Sequence, residues 1–585
     1  MKVSPAKSPV KTAASQWRFY SVVLLLLLLM AALLWHVINI QILPGEHRGF
    51  EFLQSQGLAR TLRTEGIPAH RGIITDRHGE PLAVSTPVIS IWANPEKLLA
   101  ARQQWPQLSK ALSIDGDNLQ HKLSNYKDKQ FVYLRRQLAP AEAQAVLDLA
   151  IDGVYGKREY RRFYPAGEVA AHVVGFTNID DVGQEGIELS YDQWLAGTPG
   201  KKQVLKDRRG RVIKEVGLLQ SARTGKDIAL SIDLRLQYLA YKELKAAVQA
   251  HNAKSGSLVL LDAQTGEVLA MVNQPSYNPN NRSRLSPENF RNRAITDQFE
   301  PGSTMKPLTI MAALESGRYS PTTVIDTHPG YMRVGSKTLL DPVNYGAIDV
   351  TKIITKSSQV GLTKISLDLE GDSIRDMFFR LGIGQSVGTG FPGEGSGLLP
   401  SYDRWQPIVQ ANFSFGYGVT VTALQLAQAY SVIANQGVKQ SLSILKQQQA
   451  VTAKQVVAQE TAQQATAMLK TVMQPGGTAA NARLKSYQVA GKTGTIHNVG
   501  ANGYIDDSYL SLFVGFAPAD KPRIIAVVTV NEPSNGKYFG GEVAAPVFAR
   551  VVDNALRLLQ VPPTNAEKQL TKTIDSVIYS KEPAT

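Results

Sequence analysis

Cysteine is absent from all 585 residues. Disulfide staples, thiolate nucleophiles and Cys-ligated zinc are therefore excluded. Histidine is scarce: nine residues, scattered, with no His-Glu-x-x-His pair of the kind that holds zinc on one helix face. There is no Walker-type phosphate loop. The glycine-rich segment Gly382-Ile383-Gly384-Gln385-Ser386-Val387-Gly388 misses the dinucleotide spacing by one residue. Nothing points to a Ser-His-Asp arrangement, and no internal repeat is present. Net charge is +14, which by itself is compatible with nucleic acid, an anionic membrane surface or an anionic polymer. No basic run interleaved with aromatics accompanies that charge, so no nucleic-acid partner is expected; neither is a metal or a cofactor. Hydrophobic residues make up 43% and charged residues 19%, the composition of a globular chain. The length calls for two to four domains.

Acidic residues are missing from the N-terminus until Glu46, whereas Lys2, Lys7, Lys11 and Arg18 are there. Between lies the one stretch long enough to span a membrane. Residues 22–35 are apolar without a break, and with polar flanks the run covers 19–40. A helix of that length rises roughly 33 Å at ~1.5 Å per residue, enough for a hydrocarbon core of about 30 Å. A cleaved signal would have an apolar region of about 7–15 residues and a small-residue cleavage site. Leu33-Leu34-Trp35-His36 is a poor site, so an uncleaved anchor is expected. The positive-inside bias places the N-terminus in the cytoplasm and the remainder outside.

Beyond the anchor the composition falls into two blocks. The first, to about residue 222, is charged, mixed in period and broken by turns such as Asp76-Arg77-His78-Gly79; a helix is expected near 139–149. Arg223-Thr224-Gly225-Lys226 reads as a linker. The second block begins with a strand at 228–232 and an amphipathic helix at 234–250. Strand pairs at 257–262 with 267–273, and at 511–516 with 523–530, flank a mostly helical stretch that includes 306–315 and 423–434. Hairpins at both ends with helices between predict an α+β domain, an antiparallel sheet covered by helices. The expected division is a tail at 1–18, a membrane helix at 19–41, a first domain at 42–222, a second at 223–560 and a loose C-terminal tail at 561–585.

Three short motifs follow in order. In Glu300-Pro301-Gly302-Ser303-Thr304-Met305-Lys306-Pro307, Pro301-Gly302 ends the preceding segment and Pro307 is tolerated only in a first turn. A helix should therefore begin close to Ser303. The Ser303 N–H then has no helical partner and is free to bind an oxyanion, and Lys306 shares its face. A lysine made neutral by burial or by a second cation can take the serine proton. Ser-x-x-Lys alone means little, since it recurs at Ser4, Ser8, Ser124, Ser443 and Ser534, where a helix-start serine with a solvated lysine is the ordinary reading. Then 54 residues beyond Ser303 comes Lys356-Ser357-Ser358-Gln359-Val360-Gly361. Alone it reads as a helix cap, yet its hydroxyl and amide, two residues apart, could meet nucleophile and substrate together. Finally Ala490-Gly491-Lys492-Thr493-Gly494-Thr495 lies in an expected strand, 487–496. The bland alternative is a hairpin glycine between surface residues. As an edge strand it could hydrogen-bond an added substrate strand, with Gly494 allowing close backbone approach. Lys492 would supply the second cation and a partner for a substrate carboxylate, and the Thr495 N–H a second oxyanion donor.

Ser-x-x-Lys, Ser-Asp-Asn and Lys-Thr-Gly in this order are the signature of penicillin-binding proteins and class A β-lactamases. The chain resembles the class B penicillin-binding proteins, and most of all the division-specific transpeptidases of Gram-negative bacteria. Further segments carry the resemblance: Arg291-Asn292-Arg293-Ala294-Ile295-Thr296-Asp297, Ser276-Tyr277-Asn278-Pro279-Asn280, Phe415-Gly416-Tyr417-Gly418 and Tyr538-Phe539-Gly540-Gly541 in the second block. In the first they are Arg71-Gly72-Ile73-Ile74-Thr75-Asp76-Arg77, Tyr164-Pro165-Ala166-Gly167 and Gly186-Ile187-Glu188, which match a non-catalytic, dimerisation-type pedestal. The resemblance implies a five-stranded, serine β-lactamase-like transpeptidase domain. It implies that Ser303 attacks the D-Ala–D-Ala bond of peptidoglycan stem peptides on lipid-linked nascent strands, and that β-lactams acylate it. By position, Lys306 is the general base, Ser357 relays protons, and Lys492, Thr493, Gly494 and Thr495 bind the carboxylate and shape the oxyanion hole. Tyr538 and Phe539 resemble an aromatic wall. The implied setting is the bacterial inner membrane with the catalytic domain in the periplasm. Division proteins, including a separate glycosyltransferase, are the implied partners, since the chain lacks room for a polymerising domain. One departure is Gln359, where the family usually has Asn; Gln359 would bind substrate if its longer side chain reaches the same group. Three alternatives remain on sequence: a β-lactamase, which would need a deacylating water activator; a β-lactam sensor or scaffold, which Gln359 favours; and the elongation-type relative.

Overall fold

The computed structural model describes residues 16–41, 52, 57, 62–206, 212–282, 286–448, 452–500 and 503–564. Most of the expected C-terminal tail and of the N-terminal tail lies outside the described residues. The apolar run forms one helix, Gln16–Gln41, three residues longer at its start than the sequence indicated. It is the one helix among the described residues long and apolar enough to cross a membrane, with a mean hydropathy of 2.7, and none of it is buried.

The first block is built on a twisted sheet. The long strand Pro81–Ala93 pairs antiparallel with Val154–Phe163 and with Val132–Leu138. Four short helices close a separate apolar core around Ile91, Leu98, Leu108, Leu112, Leu119 and Leu123. The helix expected at 139–149 runs Pro140–Leu147, with Pro140 in its first turn where its missing N–H costs nothing. A second, three-stranded sheet orders Leu62–Ile67, Gly200–Lys206 and Val212–Gln220. Within the first block, Arg71 is fully buried and bonds Glu188 at 2.7 Å and Asp192 at 2.8 Å; Glu188, equally buried, also takes Arg162 at 2.6 Å. Segments far apart in sequence are thus tied by charge-assisted hydrogen bonds.

Residues 223–226, read above as a linker, are instead locked into the first block. Arg223 and Thr198 exchange backbone hydrogen bonds, the Gly225 N–H donates to His70 O and the Lys226 N–H donates to Trp194 O. A Cβ on Gly225 would fall 1.7 Å from Leu195 O, so glycine is there for close packing and not for freedom. The strand expected over 228–232 shortens to Ile228–Ala229, which adds in parallel to Ile74–Thr75 and so closes the edge of the first-block sheet. Asp76, buried, accepts from the N–H of Leu234 at 3.1 Å and caps the first helix of the second block, Leu234–Ala250.

The second block has the expected antiparallel sheet of five strands, ordered Val268–Gln274, Ser255–Asp262, Ile524–Asn531, Gly503–Ala517, Ala490–Gly500. Ser255–Asp262 and the outer strand Val268–Gln274 are buried along their whole length, as is the half of Gly503–Ala517 from Leu510 on, so both faces are covered there. Leu234–Ala250 and Ala544–Leu558 pack on the sheet and on one another, and the wholly buried Ala423–Ala434 packs on the same strands. Among the described residues Ala490–Gly500 pairs only with Gly503–Ala517 and is an open edge. The sheet places that edge beside the turn that carries Ser303.

Candidate active site

Gly302–Met305 is a 3-10 turn and Lys306–Glu315 the α-helix that continues it, with Pro307 in its first turn. In a 3-10 turn residues three apart eclipse, which aligns Ser303 and Lys306. Gly302 has φ +53°, and a Cβ there would fall 2.6 Å from Ile496 of the edge strand. Only glycine lets turn and strand close to this distance. Gly494 answers from the strand: a Cβ there would come within 3.3 Å of Pro301 O as well as of Ile496 and Leu512. The approach that Gly494 permits is therefore that of the nucleophile turn, a packing reason that motif reading alone assigned to substrate.

Lys356 ends the helix Val350–Lys356, and Ser357 follows it in the left-handed region, φ 59°. Ser358 caps the next helix, Gln359–Asp368, by accepting from the Gly361 N–H. The two-helix corner thrusts Ser357 toward both lysines. Lys306 Nζ donates to Ser357 O at 2.6 Å and to Ser357 Oγ at 3.1 Å, and Lys492 Nζ donates to the same Oγ at 3.1 Å. A hydroxyl has two acceptor lone pairs and one proton. With both lone pairs occupied, the Ser357 O–H remains free to donate.

Lys306 is 1% exposed and Lys492 not at all, and neither forms an ion pair with a carboxylate among the described residues. Burial pulls Lys306 down to about 7, partly opposed by the negative charge of Asp341. Lys492 lies well below its ordinary value, through burial first and the neighbouring Lys306 second. Of the two causes expected for Lys306, burial is the one that lowers it, and it is Lys492 that is lowered further by a second cation, Lys306. Lys492 also touches Thr493 O at 3.3 Å, and Thr493 Oγ1 donates to Thr478 Oγ1 at 3.0 Å.

Thr495 Oγ1 accepts from the Gly540 N–H at 2.9 Å, which ties the edge strand to the Tyr538-Phe539 segment. His497, Tyr509, Tyr538 and Phe539 stack in series at centroid spacings of 4.5, 4.2 and 4.4 Å, and Phe539 is half exposed. Gln359 opens its helix. Its N–H donates to Asp341 at 2.6 Å and its C=O accepts from Thr363, so its backbone is held while its side-chain amide makes no hydrogen bond among the described residues. Among the described residues no group of three or more His, Asp or Glu side chains is placed to hold a metal ion.

The family description "Penicillin binding protein transpeptidase domain" matches residues 256–553, and "Penicillin-binding Protein dimerisation domain" matches residues 66–230. Over 552 residues the chain is 42% identical to the peptidoglycan D,D-transpeptidase FtsI of Escherichia coli K12, covering 94% of this chain and 92% of the relative. This chain is a class B penicillin-binding protein. The family acts on peptidoglycan as a serine-type D,D-transpeptidase and binds β-lactams. This penicillin-binding protein is also 41% identical over 551 residues to the "Probable peptidoglycan D,D-transpeptidase PbpC" of Pseudomonas aeruginosa, covering 94% and 97% of the two chains. Its structure is similar to that of penicillin-binding protein 3 from Mycobacterium tuberculosis complexed with aztreonam: TM-score 0.66, 29% identity, 85% of this chain and 98% of that one.

Asp341 is the site residue that sequence reading missed. Nearly buried, it accepts from Ser358 Oγ at 2.5 Å and from the N–H groups of Gln359 and Val360 at 2.6 and 3.2 Å. It anchors the corner that presents Ser357. Its local sequence, Leu340-Asp341-Pro342, resembles any turn; only the fold returns it to a helix start 18 residues downstream.

Proposed function

We propose that this chain cross-links stem peptides at the division septum, with Ser303 as nucleophile, and that it is inhibited by β-lactams through acylation of Ser303. Neutral Lys306 takes the Ser303 proton as Oγ attacks the penultimate D-Ala carbonyl. The N–H groups of Ser303 and Thr495 hold the oxyanion. Ser357 passes a proton to the departing D-Ala amine, and an amine from a neighbouring stem then displaces Ser303. Lys492 and Thr493 bind the terminal carboxylate, whose negative charge supplies what the buried Lys492 lacks; Tyr538 and Phe539 flank the donor, and Gln359 lies within this substrate cleft. The observation that carries the reading is the convergence of two buried, carboxylate-free lysines on the one hydroxyl of Ser357.

The same reading divides the chain into a cytoplasmic tail, a membrane helix at 19–41, a periplasmic pedestal from 42 whose end the hydrogen bonds of 223–226 and the strand Ile228–Ala229 carry past the expected 222, and a transpeptidase domain from there to 560. The anchor sits in the inner membrane with its N-terminus inside. The division assignment is supported by the resemblance of the pedestal and of the residues around Ser303 to division-type enzymes, and it entails division partners that include a glycosyltransferase. The test is to incubate the detergent-solubilised full chain with a penicillin and map the adduct by mass spectrometry. A stable one-to-one adduct on Ser303, absent in Ser303→Ala, is expected. Rapid hydrolysis of the penicillin would instead make the protein a β-lactamase, and no adduct at all would make it a scaffold. Depletion in cells is expected to give filaments; round cells would move the assignment to elongation.

A further inference from the structure

We propose that Glu300, Tyr417 and Tyr504 form a subsite that reads a positively charged side chain on the acyl donor, upstream of the bond that Ser303 attacks. The inference rests on the transpeptidase reading of Ser303. Glu300 stands three residues before Ser303. Its two oxygens are held by different segments: one accepts from the Gly418 N–H at 2.8 Å, the other from the Tyr504 hydroxyl at 2.9 Å. Tyr417 meets Tyr504 edge to face at 5.9 Å. Among the described residues no lysine, arginine or histidine pairs with Glu300. Each carboxylate oxygen has two acceptor positions, so each keeps one free. A fixed carboxylate flanked by two tyrosine rings suits an ammonium, which gains from charge and from the ring faces together.

The edge strand gives the subsite its place along the substrate. Lys492 and Thr493, which take the donor's terminal carboxylate, lie near its start at Ala490; Thr495, beside the reacting carbonyl, comes next; Val499 faces Tyr504 across the hairpin. A donor laid along this edge therefore runs upstream toward Tyr504. The four residues from Thr495 to Val499 span about 13 Å at ~3.3 Å per residue, which matches roughly two donor residues and an extended side chain. Cross-linking joins the donor acyl group to an amine on a neighbouring stem. Stems that can serve in either role each carry that amine, so the donor brings its own, unreacted and protonated, to this end of the cleft.

The test uses the detergent-solubilised full chain and two thioester donors, N-acetyl-Lys-D-Ala-thioglycolate and its norleucine counterpart, which differ by one ammonium. Thiol release gives kcat/KM for each. The wild type is expected to prefer the lysyl donor about tenfold. Glu300→Gln, which can keep the contact to Gly418, is expected to bring the ratio to about one, and Tyr504→Phe to an intermediate value. No preference in the wild type would overturn the proposal. So would a preference that survives Glu300→Gln, or a loss of both rates in the same proportion, which would give Glu300 a purely structural role. Labelling of Ser303 by penicillin without turnover of either donor also overturns it. If penicillin does not label Ser303 either, the transpeptidase reading itself has failed.

Discussion

Among the described residues one cluster of buried cations lies in each block, and the two meet opposite fates. In the pedestal, Arg71 and Arg162 converge on Glu188, all within 1% of complete burial. Burial alone would lower the Arg71 guanidinium, but Glu188 and Asp192 outweigh it and hold it above its ordinary value. In the site, Lys306 and Lys492 are just as buried, converge on a neutral hydroxyl, and fall. Burial disfavours a charge until a counter-charge offsets it. Where the counter-charge is present the cation is permanent and serves as structure; where it is withheld the amine becomes a base. The residue types follow suit: arginine, which does not deprotonate, in the pedestal, and lysine, which does, in the site.

Exchanging partners between stability and chemistry would break this contrast. The largest expected effect is that of Lys306→Met: the second-order rate of penicillin acylation falls by about 10²–10⁴, the usual weight of a general base, while the melting temperature stays level or rises. Next comes Glu188→Gln, which leaves the buried Arg162 without a carboxylate and Arg71 with Asp192 alone, and is expected to cost about 3–5 kcal/mol. Denaturant melts would read the loss, and the acylation rate per folded molecule should not move. An equal loss of both properties in either variant would erase the distinction.

The pH dependence sharpens it. Acylation is expected to rise with pH through about 7, the Lys306 value, as the base loses its proton. For stability, the folded chain releases this proton earlier than the unfolded chain, whose lysine keeps it to about 10.4. The unfolded state then binds more protons and stability rises with pH between those limits; the stability gap between wild type and Lys306→Met should change over that window. The smallest effect is expected of Asp341→Asn. Removing a charge that raises Lys306 moves the midpoint of the acylation profile to lower pH, and the weakened corner slows acylation about tenfold, the weight of one charge-assisted hydrogen bond.

What the sequence made legible was local. Pro301-Gly302 and Pro307 mark a helix start because proline and glycine act through their own backbone, and the helices Leu234–Ala250, Lys306–Glu315 and Ala423–Ala434 follow the periodicity residue for residue. The order of the three motifs carried the chemistry. What stayed hidden depends on chain return. Asp341 has no signal until the fold carries it to Ser358. The edge strand reads as ending near Ile496 but runs on to Gly500, because its hairpin partner, not its own composition, sustains it. The Glu300–Tyr504 contact joins residues 204 apart, beyond any pattern window.

The segment 223–226 reads as slack and is built as a strut. Each hydrogen bond it makes is to the pedestal, the nearby strand Ile228–Ala229 completes the pedestal sheet, and Asp76 grips the start of Leu234–Ala250, the first helix of the second block. A push on the pedestal has no loose chain in which to dissipate. It passes through strand and cap to Leu234–Ala250, and from there into the sheet whose far edge faces Ser303. Mechanically, pedestal and catalytic domain form a lever without backlash, so lengthening 223–226 by a few flexible residues would uncouple the two ends while leaving each folded.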